Sequence, residues 1–338
     1  MSALDKRDFV KIICAAGNED PLVVHNISML YAAAGADCID VAANPKIVEA
    51  AKKGIEKGLA MAGRNETARQ PPMLCVSVGL EGDQHVRKAR VTELGKNCIE
   101  LTRVCPSRAI TGGKDGEPVR VITESCIGCG KCEAVKEGAI EFYSPKHDLG
   151  AILPECKAAG ADMFELHANS GTDEEVLTAW NAINAITPDG FISICLGRGR
   201  LSDQQLTERV GKVQAISGKR TMVQADGVPM TGLSDSVNGT LQAVATGDIV
   251  LKMKNPPIVI LSGGTNDKTA ELAGMAGVPI NGVSFGSNAR RRVYRFITLE
   301  GLESKTAELG EAIGFAAGFV GKVKDDLRKA AAPQAATE

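Results

Sequence analysis

Residues 73–79, MLCVSVG, form a short apolar run that contains two β-branched valines and ends in glycine. Seven similar runs follow or precede it, and longer stretches with helical periodicity separate them. Alternation of this kind indicates βα units and a parallel sheet. The predicted strands cover residues 9–17, 38–43, 73–79, 162–168, 191–197, 220–227, 257–263 and 280–286.

Eight βα units predict a closed barrel of the (β/α)8 TIM type, because an open Rossmann sheet usually has fewer units and a glycine fingerprint at its first turn. A doubly wound open sheet is the alternative. The clearest helical patterns cover residues 21–34, 44–61, 173–186, 202–216 and 303–329.

The third βα unit is interrupted by about sixty residues that precede a helical pattern starting near Asp148. A connection of this length is uncommon unless it is a functional loop or an inserted module. We therefore predict a barrel formed by residues 1–85 and 148–330, an insert at residues 86–147 and a flexible tail at residues 331–338. Loops that follow barrel strands lie at the catalytic face, so the insert should cover or flank the mouth.

The insert contains the sequence CIGCGKC at residues 126–132, which has the two-residue spacings of bacterial ferredoxins. Lys136 stands where the fourth cysteine of such a run is expected. In two-cluster ferredoxins, however, that last cysteine is followed by proline and binds the other cluster, and Cys105-Pro106 provides this element. The pattern predicts a ferredoxin-like module with one [4Fe-4S] cluster, whose ligands are Cys105, Cys126, Cys129 and Cys132.

A second cluster would need cysteines at positions 95, 98, 101 and 136, but three of these are Gly95, Leu101 and Lys136. All the losses fall on one cluster and none on the other. A zinc site or buried structural cysteines are the alternatives. Cys98 is expected to pack without binding metal. We expect the remaining cysteines to be small buried residues, with Cys195 the most interesting because of its place near the mouth: Cys14, Cys38, Cys75, Cys156 and Cys195.

Polar residues recur at alternate positions of the predicted strands, close to their carboxyl ends. Alternate residues of a barrel strand face the interior, and catalytic residues of such barrels lie at the strand carboxyl ends. Their apolar neighbours should face the helices. A self-satisfied polar network is the alternative. The candidate catalytic residues are Asp40, Glu165, His167, Gln224 and Asp226.

Two glycine-rich turns follow the last two predicted strands, the second ahead of the basic stretch 290–292. In many barrels these loops bind phosphate through backbone N–H groups. Flavin mononucleotide or another phosphate-bearing ligand would fit here, although the glycines could equally serve tight turns. The candidate ligand-binding residues are Gly263, Gly264, Thr265, Asn266, Gly286 and Ser287.

Composition narrows the class of partner. The formal charge is -2 and the pI about 6.2, which gives no support for binding to nucleic acid. The start of the chain predicts neither a secretory signal nor a membrane-spanning helix, so we expect a cytoplasmic protein with protein or small-molecule partners. No Ser/His/Asp triad, phosphate-binding P-loop or HExxH helix names a reaction.

The chain resembles the light-dependent period protein (LdpA) family of photosynthetic bacteria. The resemblance rests, besides the cysteine insert, on residues 11–17 (KIICAAG), 31–43, 224–232, 262–266 and 282–290. It implies a redox-sensing iron-sulfur protein that adjusts circadian period to photosynthetic electron transport and acts near clock components. The family is expected to have a fuller set of cysteines than this chain, which departs from it at Gly95, Leu101 and Lys136.

Three functions are consistent with the sequence. The first is a redox sensor or electron-transfer regulatory protein, in which a change of cluster charge alters contacts with a partner. The second is a TIM-barrel oxidoreductase that binds a flavin or phosphorylated ligand at the mouth, with the cluster as electron relay. The third is a cluster that only stabilises the insert.

Overall fold

The computed structural model describes residues 2–62, 70–114, 116–145, 148–228 and 237–331. Eight parallel strands close into a barrel, in the order β1-β12-β11-β10-β9-β8-β3-β2. Each predicted strand is present, so the barrel is confirmed and the open-sheet alternative is wrong. The barrel strands are β1 Phe9–Ile13, β2 Cys38–Ala42, β3 Met73–Gly79, β8 Met163–His167, β9 Ile192–Gly197, β10 Thr221–Asp226, β11 Ile258–Ser262 and β12 Gly282–Phe285.

The two faces of each strand differ as the alternation predicted. Apolar residues such as Ile39, Phe164 and Val223 belong to the large hydrophobic cluster between barrel and helices. A second apolar cluster, with Cys38, Cys75 and other residues from the amino-terminal halves of the strands, fills one end of the barrel interior. The polar residues of the interior therefore lie towards the carboxyl ends of the strands.

Helices surround the barrel, and several begin where capping residues occur. The side chains of Asp20 and Asn44 accept hydrogen bonds from backbone N–H groups at the start of two helices that have proline in the first turn. Thr172 and Ser202 form capping boxes at the start of two others. The last helix starts three residues later than predicted, because residues 302–304 form a 3-10 turn. The helices are α1 Ala3–Lys6, α2 Pro21–Ala33, α3 Pro45–Met61, α4 Glu100–Val104, α5 Leu149–Ala159, α6 Asp173–Ile186, α7 Asp203–Ser217, α8 Val237–Leu251, α9 Thr269–Met275, α10 Ser287–Arg292, α11 Tyr294–Ile297 and α12 Thr306–Ala331.

The long connection between β3 and α5 has its own small fold. Strand β4, Lys88–Val91, pairs antiparallel with β7, Ile140–Tyr143, and between them β5, Ile110–Thr111, pairs with β6, Arg120–Val121. Helix α4 lies in the same segment. A hydrophobic cluster separate from that of the barrel holds these elements together. We call residues 86–147 the insert.

Two further predictions concern the chain as a whole. No helix within the described ranges is long and apolar enough to cross a membrane. Helix α12 ends at Ala331, so the first residue of the predicted tail is helical, and residues 332–338 lie outside the described part. Residues 229–232, which contribute to the family resemblance, also lie outside it.

Candidate functional site

A buried lysine lies at the centre of the polar layer inside the barrel. The Lys11 Nζ atom is 2.9 Å from Asp40 Oδ2 and 2.8 Å from Glu165 Oε2, and all three side chains are buried. Burial alone would lower the pKa of Lys11, but the surrounding negative groups, Asp40 first, raise it well above its ordinary value. Lys11 is therefore a charged member of the barrel interior, which the sequence prediction did not include.

Glu165 accepts hydrogen bonds on both carboxylate oxygens. Lys11 and the Ser193 hydroxyl, 2.6 Å away, donate to Oε2, and the Gln224 side-chain amide donates to Oε1 at 2.7 Å. The Ser77 hydroxyl completes the layer by donating to Asp40 Oδ1 at 2.6 Å. Such connected buried networks are rigid, and the network fixes Gln224 and Asp40 beneath the mouth.

One cavity lies above this layer, at the carboxyl ends of the strands. Four of the five predicted catalytic residues line it: Asp40, His167, Gln224 and Asp226. Glu165 is not in its lining. It lies two residues before His167 on the same strand, so its side chain occupies the interior layer below, where Lys11 holds it. Cys195, the cysteine expected near the mouth, does line the cavity.

The insert supplies part of the cavity wall, as expected from its place after β3. Ile127, Cys129 and Lys131 of the insert line the cavity, as does His85 from the loop between β3 and the insert. The buried Lys88 joins the insert to the barrel, because its Nζ atom donates to the carbonyl oxygens of the barrel residue Gly17 and of two insert residues, Thr123 and Cys126, at 2.6, 3.0 and 3.2 Å. This lysine also pairs with Glu19 at 2.9 Å.

Three titratable groups meet where the loop after β3 touches β8. The carboxylate of Asp83 is 2.8 Å from His85 Nδ1, and the rings of His85 and His167 lie 4.2 Å apart between centroids. Burial opposes the charge on His85, yet the hydrogen bond to Asp83 raises the pKa of His85 above its ordinary value. Burial and the neighbouring His85 lower the pKa of His167 to about 3, so His167 is neutral at pH 7. Burial raises the pKa of Asp226 to about 6.

The four predicted cluster ligands, Cys105, Cys126, Cys129 and Cys132, line a single pocket in the insert, which we call the cysteine pocket. Apolar residues, among them Phe142, form most of its remaining wall. Backbone N–H groups point at two of the sulfurs: Ala89 donates to Cys126 Sγ at 3.4 Å, and Ala109 donates to Cys105 Sγ at 3.2 Å. Donors of this kind stabilise thiolates and tune the potential of sulfur-bound iron.

The spacing of the sulfurs bears on which group fits. Ligands of one tetrahedral zinc ion lie at about 2.3 Å from it, hence about 3.8 Å from one another. The groups of three or more residues whose ligand atoms all lie within 4.8 Å of one another, in the part of the chain described, do not include the cysteine pocket. The sulfurs are thus not gathered as closely as the ligands of one zinc ion would be. Burial raises the pKa of Cys132 to about 11, so this sulfur is a thiol without a bound cation.

The residues at the four positions that a second cluster would need take part in packing or in hydrogen bonds of the insert. Leu101 is fully buried in the hydrophobic cluster of the insert, and a Cβ atom at Gly95 would approach the carbonyl oxygen of Ala139 to 2.3 Å. Lys136 donates to the carbonyl of Leu94 at 3.0 Å. Cys98 is buried in the same cluster, outside the lining of the cysteine pocket, as expected for a packing residue.

Comparison with known proteins identifies the family. Residues 156–330, more than half of the chain, match the family model described as the Light dependent period A C-terminal domain. Light dependent period A from Synechococcus elongatus (strain ATCC 33912 / PCC 7942 / FACHB-805) is 29% identical over 347 residues, which covers 96% of this chain and 93% of that protein. The chain belongs to the Light dependent period A family.

Solved structures of two enzymes are similar to this family member at low sequence identity. The YdjI aldolase from Escherichia coli K12 is 10% identical, with a TM-score of 0.48, over 95% of this chain and 93% of that one. Tryptophan synthase subunit alpha from Legionella pneumophila str. Paris is 12% identical, with a TM-score of 0.45, over 96% and 99%.

The glycine-rich turns of this Light dependent period A family member also reach the mouth. Of the predicted ligand-binding residues, Gly263, Gly264, Thr265, Gly286 and Ser287 line the cavity. Asn266 does not. It belongs to the turn itself, because its backbone N–H donates to the Thr269 hydroxyl at 2.9 Å and its side-chain oxygen accepts from the N–H of Lys268.

Backbone geometry explains the glycines of the first turn. Gly263 and Gly264 have φ values of 65° and 84°, in the region that glycine tolerates best. A Cβ atom at Gly263 would also come within 1.7 Å of Asp226 Oδ1. At Gly264 it would meet the backbone of Gly239 at 3.0 Å, so that a bulky residue there would strain the turn as well as any ligand site. These glycines are required by the turn, whichever ligand the cavity takes.

Basic residues that the sequence prediction mentioned only as a stretch also line the cavity, namely Arg290 and Arg291. Arg290 donates to the carbonyl of Ile13 at 2.9 Å and so fixes the end of β1. Burial lowers its pKa, although arginine stays charged at pH 7. The sequence also contained a sign of the buried Lys11, which is a single lysine inside the apolar strand FVKII. The mouth therefore combines an acidic layer below with arginines at one wall.

Proposed function

We propose that the protein is a redox-active iron-sulfur protein of the LdpA type, in which a [4Fe-4S] cluster held by Cys105, Cys126, Cys129 and Cys132 is coupled to a ligand at the barrel mouth. Residues 86–147 act in this proposal as a ferredoxin-like module. Such a cluster supplies one-electron redox chemistry when it is bound. Membership of the family supports the regulatory role in this proposal, which is an input of light-dependent redox state to circadian period through protein partners in the cytoplasm.

One observation carries the coupling: the cysteine pocket and the mouth cavity share a wall. Cys129 lines both of them, and so do Pro106, Ser107 and Ile127. A change of charge among the four sulfurs would therefore be felt by groups in the cavity, since buried charges are poorly screened. Lys88 ties the same loop to the barrel through Gly17 and Cys126, so the wall is held in a fixed place.

Elemental analysis of the protein tests the proposal. Protein purified without oxygen should contain iron and acid-labile sulfide in equal amounts, about four of each per chain, because one [4Fe-4S] group has that composition. Eight of each would indicate a second cluster and would refute the single-cluster assignment. Zinc without sulfide would mean that the cysteine pocket is a zinc site and would refute the redox function.

A second candidate function is an oxidoreductase that binds a flavin or another phosphate-bearing ligand in the cavity. The glycine-rich turns and Arg291 in its wall favour an anionic group there, since exposed backbone N–H groups and guanidinium ions both bind phosphate. Thermal shift with flavin mononucleotide and with inorganic phosphate tests it. A ligand at about a hundred times its Kd stabilises by about 2.7 kcal/mol.

The matched variants are Arg291→Gln and Arg103→Gln, of which the second changes an exposed arginine outside the cavity lining. The shift should fall in the first variant and persist in the second. If neither compound stabilises the protein at millimolar concentration, the flavin and phosphate assignment is wrong. The regulatory function is then the remaining candidate.

A further inference from the structure

A group of two histidines and one carboxylate lies at the barrel mouth, apart from the cysteine pocket. Asp83 and His85 come from the loop after β3, and His167 is the last residue of β8. One ligand atom of each lies within 4.8 Å of the others. None of the three is well exposed, since Asp83 and His167 are buried and His85 is half-buried. The sequence analysis had only His167 among its candidates.

Buried polar atoms beside this group lack partners. His167 Nδ1, Gln224 Oε1 and Asp226 Oδ2 have no hydrogen-bond partner among the described residues, although each side chain is at least nine-tenths buried. All three residues line the mouth cavity. An unsatisfied buried donor or acceptor costs about 1 to 3 kcal/mol, so a group bound at the mouth that pairs with these atoms would be favoured.

Charges of both signs lie around the cavity. Its lining or the layer beneath it holds the basic side chains Lys11, Lys131, Arg290 and Arg291 and the buried carboxylates Asp40, Asp83, Glu165 and Asp226. Asp83, Asp226 and Glu165 all act electrostatically on His85, so the part of the mouth around this histidine is rich in carboxylates. A divalent cation would be favoured there, because it balances buried negative charge.

We propose that Asp83, His85 and His167 bind a divalent transition-metal ion at the barrel mouth, with open coordination positions towards the cavity. Two histidines and one carboxylate form a donor set known for such ions, and metal–ligand distances of about 2.0 to 2.2 Å place the donor atoms about 3 to 4 Å apart. The observed spread needs only small side-chain movements. This site shares the cavity of the proposed function but none of its cysteine ligands.

The surroundings of His167 suit a metal ligand. Its Nε2 atom lies 3.6 Å from Glu165 Oε1, and its Nδ1 atom is the one without a partner. Metal-binding histidines commonly have a carboxylate near the nitrogen that does not bind the ion. A second group, Glu165 with His167 and Cys195, is also compact. It is the weaker site because Glu165 already accepts hydrogen bonds from Lys11, Ser193 and Gln224.

Cobalt binding tests the proposal. The anaerobically purified protein is treated with a chelator, equilibrated with Co²⁺ and desalted, and cobalt and acid-labile sulfide are counted per chain. We expect about one cobalt per chain, at least a tenfold loss of affinity in His85→Ala and in His167→Ala, and unchanged sulfide. His25→Ala is the matched control, because His25 lies on α2 and contacts Glu303 at 3.3 Å.

Asp83→Asn is the variant least disturbing to the fold, because the amide oxygen can still accept a hydrogen bond from His85 while the charge is lost. Weaker cobalt binding at unchanged circular dichroism would support the site. Cobalt that persists in both histidine variants, or that is lost only in proportion to sulfide, would show that the cysteines hold it and would overturn the proposal. So would the absence of cobalt from the natural chain.

Discussion

The insert has two halves, and the positions where a ferredoxin would have cysteine ligands hold different residues in each. In one half, Cys105 and the 126–132 loop surround the cysteine pocket. In the other, which we call the packed half, Leu101 is fully buried, Gly95 leaves no room for a side chain beside Ala139, and Lys136 caps the carbonyl of Leu94. The places that would hold a second cluster are thus occupied by a small hydrophobic core and its edge.

This difference shows two ways to stabilise a module too small for a large core. Small domains commonly need a metal centre, disulfides or unusually good packing. The packed half buries Leu101 together with Cys98, Ala139 and Ile140, whereas four cysteines line the cysteine pocket. We therefore expect substitutions in the cysteine pocket to change metal content and substitutions in the packed half to change stability.

The largest expected effect is on iron content. Replacing Cys105 or Cys126 by alanine should remove most of the iron and sulfide, because each would leave one iron without its thiolate. Cys98→Ala in the packed half should leave both nearly unchanged. Iron and sulfide assays on the three variants, purified in parallel, measure this. An equal loss in the Cys98 variant would mean that both halves bind iron.

A smaller effect is expected on the stability of the packed half. Leu101→Ala should destabilise the insert by about 2 to 5 kcal/mol, the usual cost of such a cavity in a core. Leu94→Ala is the control, because Leu94 is 61% exposed. Hydrogen exchange of amides in β4 and β7 reports on the insert separately from the barrel. Similar exchange in both variants would show that Leu101 does not hold this half together.

The smallest effect is expected at Lys136. Its hydrogen bond to Leu94 is exposed, and the net contribution of such a surface contact is usually within about 0.5 kcal/mol. Lys136→Ala should therefore change neither iron content nor the urea midpoint measurably. A loss of iron in this variant would contradict the division of the insert into two halves, because the residue would then support the cysteine pocket.

Much of the mouth could be predicted because strand alternation is a local rule. The side of each strand on which Asp40, His167, Gln224 and Asp226 lie follows from their parity with the apolar positions. How deep a side chain lies inside the barrel does not follow from its neighbours in the sequence. Glu165 differs from His167 by two residues, and only closure of the barrel brings its carboxylate to 2.8 Å from Lys11 of β1 rather than into the cavity. Asn266 lies outside the cavity lining because its side chain accepts a hydrogen bond from the N–H of Lys268 within its own turn.

The sequence by itself determined what depends on short spacing: eight βα units, the position of the insert, and the three closely spaced cysteines of the 126–132 loop. Tertiary structure decided the contacts between residues far apart in the chain. Lys11 meets Glu165 across 154 positions, and His85 meets His167 only because the loop after β3 folds over the end of β8. The physical reason is barrel closure, which brings all eight strand ends to one mouth and lets charged side chains from distant segments pair away from water.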